Sequence, residues 1–132
     1  MFKIIIASGP VIIENNKALL NKDEKDSFWK FCGGQVNDEE FNLKETAKRE
    51  IKEEMGLDIE ILDSEPYFFY TEKEKDGQKM SIVLAHFLSR RIGDIVPGED
   101  TTEWRWLDID DLDKENLAPN IKPALKYFGF LK

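Results

Sequence analysis

Hydrophobic positions in this chain fall mostly into short runs of strand length, interrupted by one stretch with helical spacing. Residues 3–13 predict a first strand, Glu14-Asn15-Asn16-Lys17 a turn, and residues 18–20 the start of a return strand. The charged stretch 22–26 reads as a loop, and residues 28–31 as a short strand leading into Gly33-Gly34. The period then changes. Leu43, Ala47, Ile51 and Met55 recur at four-residue intervals, the apolar stripe of a helix. Asn42 with Glu45 three residues later resembles a capping box, and Gly56 suits a left-handed C-cap. Further strands are expected at 59–62, 67–70, 80–88 and 103–107, with an Asp76-Gly77 tip joining the second and third as a hairpin. Residues 121–130 predict a closing helix with Ala124, Leu125 and Phe128 facing inward. Strands outnumber helices, and the helices come near the middle and the end. The pattern predicts an α/β protein in which one mixed sheet is covered on both faces.

Composition narrows the class. A chain of 132 residues is long enough to bury a core and short for two ordinary domains, so a single domain over 1–132 is expected. No apolar run approaches the roughly 20 residues of a membrane span, and the N-terminus does not resemble a signal peptide, which points to the cytoplasm. One cysteine makes no internal disulfide, and no Cys/His set suits zinc. A net charge of −8 argues against broad nucleic-acid or anionic-membrane binding and leaves small polyanions, neutralised locally, as partners. Monomer and homodimer are both compatible with the sequence.

The candidate chemistry lies on the central helix. At about 100° per residue, Glu50, Glu53 and Glu54 share one sector beside the apolar stripe, while Lys44, Lys48 and Lys52 form a separate row. Two carboxylates held about 5 Å apart at an effective dielectric near 20 repel by roughly 3 kcal/mol. These residues stand at the negative end of the helix dipole, which does nothing to relieve them. A string of this kind is most often a solvated face. Its position along the buried side instead favours a site for a hard divalent ion such as Mg²⁺, which takes oxygen ligands and shares its remaining positions with phosphates. Arg49, four residues before Glu53, can reach and hold that carboxylate.

The run Arg49-Glu50-Ile51-Lys52-Glu53-Glu54-Met55-Gly56-Leu57 resembles the second half of the Nudix box, R-E-U-x-E-E-x-G-U with U aliphatic, at every defined position. The first half departs from it. Gly34 lies one residue further upstream than the family glycine, the expected early acid is Phe41, and Cys32 stands where proline is common. Aligning Gly34 with the family glycine puts one inserted residue in the loop 37–42 and leaves Glu39 or Glu40 as the early acid. The resemblance implies the Nudix α/β/α sandwich and a pyrophosphohydrolase. Glu50, Glu53 and Glu54, with the Gly34 carbonyl, would hold Mg²⁺ or Mn²⁺, and activated water would attack a phosphorus of a diphosphate bridge. The proton acceptor varies in this family; here Glu99 is favoured and Glu103 comes next, although an ordinary acidic loop suits either.

The resemblance also bears on substrate. Asn120 is similar in position to an asparagine that contacts the base in MutT-type members, yet asparagine before a helix more often serves as an N-cap. Trp104 and Trp106 share a side of their strand and suit a stacking platform or, more commonly, the core; Trp29 and Phe31 share that ambiguity. Lys22 is a phosphate contact if Lys22-Asp23 stands in for the paired arginines of some members. His86 reads as a satisfied structural histidine. Nucleoside triphosphate cleavage, with oxidised dGTP as one case, leads; ADP-ribose or other nucleotide sugars and dinucleoside polyphosphates stay open. A non-catalytic nucleotide-binding module of the same fold is the reading from a different class, and retention of the box acids counts against it. A purely structural acidic domain is the weakest.

Overall fold

A computed structural model describes residues 3–22, 25–40, 42–62 and 65–132, so Phe41 and Asp23 lie outside the described residues. In chain order the elements are β1 (Lys3–Glu14), β2 (Lys17–Lys22), β3 (Gly34–Gln35), α1 (Leu43–Met55), β4 (Asp58–Ile61), β5 (Tyr67–Lys75), β6 (Gln78–Ile92), β7 (Glu103–Asp108), a 3-10 helix (Ile109–Lys114) and α2 (Ile121–Tyr127). Strand β1 is the axis. It runs parallel to β6 from Lys3↔Met80 to Ile12↔Ser89, then turns at Asn15-Asn16 into β2, which pairs antiparallel with β7. Both asparagines take positive φ, which short polar side chains tolerate and a tight hairpin requires. Strands β4 and β5 each pair antiparallel with β6, and β3 with β1, giving an open mixed sheet.

Alternation along β1 and β2 sorts the core into two layers. Val11 and Leu20 face Trp29, Leu107, Ile121 and Leu125, and this side is covered by α2 and the 3-10 helix. Ile12 and Leu19 face Ile51, Met55 and Leu57, the side covered by α1. The expected α/β sandwich is therefore present. Helix α1 has the predicted ends: Asn42 Oδ1 accepts from the Glu45 N–H at 2.9 Å, and Gly56, at φ 66°, donates to the Lys52 carbonyl. Ala47, Ile51 and Met55 are buried, whereas Lys44, Lys48 and Lys52 are exposed.

Several elements differ from the sequence reading, among them β6, which runs on to Ile92, and the 3-10 helix at Ile109–Lys114. Residues 28–31 do not form a strand. Lys30 bridges Asn21, while the Trp29 N–H donates to the Asn116 carbonyl and its carbonyl accepts from the Ala118 N–H, so successive residues serve different partners and no ladder develops. Lys22 closes β2, paired with Glu103, instead of opening the loop. The β5–β6 hairpin extends to Lys75 and Gln78 in residues that are solvated on both sides, where no apolar alternation marks a strand. Helix α2 stops at Tyr127, with Phe128 as its C-cap and Gly129 at φ 89° turning the chain away.

Ile51 is wholly buried at the centre of the α1 layer. Ile51→Ala is expected to lower the free energy of unfolding by about 2–5 kcal/mol, and the exposed Lys48→Ala to change it by less than about 0.5 kcal/mol, both read from urea midpoints.

Candidate active site

The last turns of α1 face the Gly33-Gly34 corner. Gly34 is paired with Ser8 of β1, and its backbone runs so close to α1 that a Cβ there would overlap the Glu50 carboxylate. The Gly33 N–H donates to Glu54 Oε1 at 2.9 Å. Asn21, buried near the end of β2, supplies Glu54 with a side-chain hydrogen bond, and its own Oδ1 is buried without a partner among the described residues. Burial raises the Glu54 pKa to about 7, helped by the neighbouring Glu50 charge and opposed by the Gly33 N–H, Lys30 and Asn21. Glu50 is also pushed upward by burial, against the pull of Arg49. Glu53, with 59% of its side chain exposed, stands outside this desolvated pair.

Arg49 organises the approach. Its Nε and Nη2 grip Glu40 at 2.9 and 3.1 Å, Nη1 donates to Glu50 at 2.7 Å, and Nη2 also donates to the Gln35 carbonyl at 2.8 Å. The Glu53 contact expected from the sequence exists, but at 3.4 Å it is the loosest of the set. Glu40 is fixed further by Thr46 Oγ1 and by the Asn37 N–H. The Arg49 hydrogen bond is the main reason its pKa falls to about 2. Of the two acids left open after the insertion, Glu40 is the one on Arg49; Glu39 is tied through its N–H to Asn37.

The segment after β6 docks on the end of α1. Val96 and Gly98 N–H groups bond to the Met55 and Glu54 carbonyls at 2.7 and 2.9 Å, and Thr101 Oγ1 adds a second donor to Glu54 at 3.0 Å. These bonds satisfy carbonyls that a helix leaves without internal partners. They also bring Glu99, exposed and next to Gly98, to the acid-bearing end of α1; Glu103 is exposed at the start of β7.

Across the glycine corner lies an apolar cavity of about 290 Å³, walled by Phe31, Gly34, Phe69, Leu84, His86 and Asn120. Phe31 is 7% exposed and packs its ring edgewise against His86, so it belongs both to the core and to the cavity wall. Asn120 does not cap α2 with its side chain; it bonds to His86 instead. Lys22 does not join the acids. It alternates to the opposite side of β2 from Asn21, and its Nζ sits 4.4 Å from the Trp29 ring centroid. Trp29 is core, and Trp106 is half-buried against the α1 layer. Trp104, at 37% exposure across from Asn21, departs from the core reading given to such a pair. Asn21 escaped the sequence reading, although a polar residue continuing the buried run Ala18-Leu19-Leu20 was a usable signal.

The donor chemistry fits a hard cation. Two partly desolvated carboxylates meet a backbone turn, where burial pushes both pKa values upward and a cation's charge would oppose that shift. Among the described residues no three acids converge on one point, because Arg49 engages Glu50 and Glu53 while Glu54 is turned to Gly33.

The model of the NUDIX domain matches residues 6–128. The chain is 30% identical over 118 residues to an 8-oxo-dGTP diphosphatase of Buchnera aphidicola subsp. Schizaphis graminum, covering 83% of this chain and 82% of that protein. It is 26% identical over 134 residues to nucleoside triphosphatase NudI of Escherichia coli O81, covering 92% and 94%. A solved NUDIX hydrolase from Nitrosomonas europaea superposes with a TM-score of 0.79 at 15% identity, over 96% of this chain and 88% of that one.

An acid whose pKa is raised on folding contributes stability below its unfolded pKa and loses it as pH rises through the folded value. In EDTA, the Glu54 contribution is therefore expected to fall by up to about 3 kcal/mol between roughly pH 4.5 and pH 7. Thermal melts of Glu54→Gln across that range should lack this decline, and equal slopes for the two proteins would contradict it.

Proposed function

This chain belongs to the Nudix family, hydrolases that act on acid anhydrides, and from that premise we propose that it is a Mg²⁺-dependent pyrophosphohydrolase of nucleoside triphosphates. The observation that carries the reading is the double glycine. One backbone corner touches Glu50 and Glu54 on α1 and also walls the apolar cavity, so a base in the cavity would place its phosphates at the acids. The cavity is close to the lower end of ligand-pocket sizes, which begin at about 300 Å³. The names of the two curated relatives, an 8-oxo-dGTP diphosphatase and a nucleoside triphosphatase, support the triphosphate class and keep oxidised dGTP among its candidates.

In this mechanism Glu50, Glu53 and Glu54, with the Gly34 carbonyl, would hold Mg²⁺ or Mn²⁺. When bound, such an ion would supply charge neutralisation at the diphosphate and a lowered pKa for water. The protein's own groups do the positioning. Arg49 fixes Glu50 and restrains Glu53, and Glu40 holds Arg49 in turn. The Gly33 N–H and Asn21 aim Glu54. Glu99, carried by the segment that caps α1, accepts the proton from the attacking water. Phe31 packs against the base and Asn120 bonds to its edge. Lys22 reaches phosphate only by leaving the Trp29 face it occupies.

A panel of nucleoside triphosphates including oxidised dGTP, ADP-ribose and other nucleotide sugars, and dinucleoside polyphosphates, assayed with Mg²⁺, tests the reading. Turnover should be highest for a triphosphate. Glu53→Gln and Glu54→Gln should each lower kcat by about 10²-fold or more while circular dichroism stays unchanged. Tight nucleotide binding without turnover in the unsubstituted protein would instead mark a sensor module.

A further inference from the structure

His86 and Asn120 make a chain of contacts that settles its own proton positions. His86 Nδ1 lies 3.1 Å from the Tyr67 carbonyl oxygen, which can only accept, so Nδ1 carries the proton. In a neutral ring Nε2 is then an acceptor. Burial pushes the His86 pKa down, opposed in part by the carbonyls of Tyr67 and Leu84, and keeps the ring neutral near pH 7. Asn120 stands 2.7 Å from Nε2 and must meet it with Nδ2–H, because its carbonyl oxygen would face a lone pair. The amide is thereby locked in one of its two flips. Its Oδ1 has no hydrogen-bond partner among the described residues and is absent from their buried unsatisfied atoms, which leaves it open to the cavity that both residues line.

From this geometry we infer that His86 is a specificity-positioning residue: by accepting from Asn120 it presents a fixed acceptor, Asn120 Oδ1, to the edge of a base in the cavity. The inference rests on the proposed reading of that cavity as the base site. A free amide rotates to suit either a donor or an acceptor and discriminates little; a locked one accepts only ligands whose edge puts a donor opposite its oxygen. A site built to hydrogen-bond a given group rejects ligands lacking it far better than an apolar wall does. Phe31, Phe69 and Leu84 make the cavity wall mainly apolar; of the other polar side chains on it, Ser8 donates to the Leu43 carbonyl and Lys30 is paired with Asp26, while Thr71 also lines it. The 6-oxo and 6-amino purines are the natural discriminants, since they exchange donor and acceptor on one edge.

The test measures dissociation constants of inosine monophosphate and adenosine monophosphate, which differ only at that edge, for the unsubstituted protein, His86→Phe and His86→Gln. The unsubstituted protein should separate the two by about tenfold or more. His86→Phe, close in shape but with no acceptor, should bring the ratio within about threefold by weakening one ligand and tightening the other. His86→Gln, whose Oε1 can accept from Asn120, should restore most of the ratio. In ligand-free protein, ¹⁵N imidazole shifts should report the Nδ1–H tautomer. The inference is overturned by an equal loss for both ligands in His86→Phe, by no discrimination in the unsubstituted protein, by the Nε2–H tautomer, or by absence of binding at millimolar ligand. Failure of triphosphate turnover with the binding ratios intact would sink the proposed hydrolysis and leave this assignment standing.

Discussion

The close passage of the glycine corner over the end of α1 is the constraint on which the rest depends. Two carboxylates are taken partly out of water there, and desolvation is the first cause of the upward shift in both Glu50 and Glu54. Leaving such groups unpaired is costly, so the surroundings are arranged around them. Arg49 neutralises one, a backbone N–H and Asn21 serve the other, and Glu40 anchors Arg49. The arrangement compensates the acids without saturating them, and that residual demand for positive charge suits a site meant to take up a cation with an anionic substrate.

The same corner explains why two unlike environments sit side by side. Strand β1 contributes Ala7, Ser8 and Gly9 to the cavity wall, while the Ser8 hydroxyl donates to the Leu43 carbonyl and ties down the start of α1. The Gly33-Gly34 corner thus borders the apolar cavity and the α1 acids at once. Polar groups are few on the cavity side, so each has more influence. Asn120 and His86 are buried and paired with each other, which makes their relative orientation a property of the fold rather than of the ligand.

Much of this was legible from residue order. The stripe through Ala47, Ile51 and Met55, the Asn42 and Gly56 ends and the hairpin at Asp76-Gly77 are local signals, and local signals survive folding. The acids could be placed on one helical sector for the same reason. What escaped depends on contacts between distant segments. The bond between Asn120 and His86 spans 34 residues, and that between Gly33 and Glu54 spans 21. Asn120 before a helix carries the sequence signature of a cap, but its side chain found a better-buried partner. Trp104 and Lys22 were uncertain because alternation tells which side a residue takes, not how far the sheet covers that side.

The inserted residue shows the same division between spacing and reach. A pattern that counts positions back from Arg49 meets Phe41 where it expects an acid, and on that count the site lacks a member. Side-chain reach repairs the count. Glu40, one position earlier, meets Arg49 through two guanidinium nitrogens and is steadied by Thr46 and Asn37, so the ion pair forms with bidentate geometry despite the shift. A loop of polar residues can absorb an extra residue because few of its backbone groups are committed to a ladder, whereas α1 could not without rotating every acid by about 100°. Variation is thus tolerated on the loop side of the guanidinium and excluded on the helix side, which is why the second half of the box matches at each position while the first half does not.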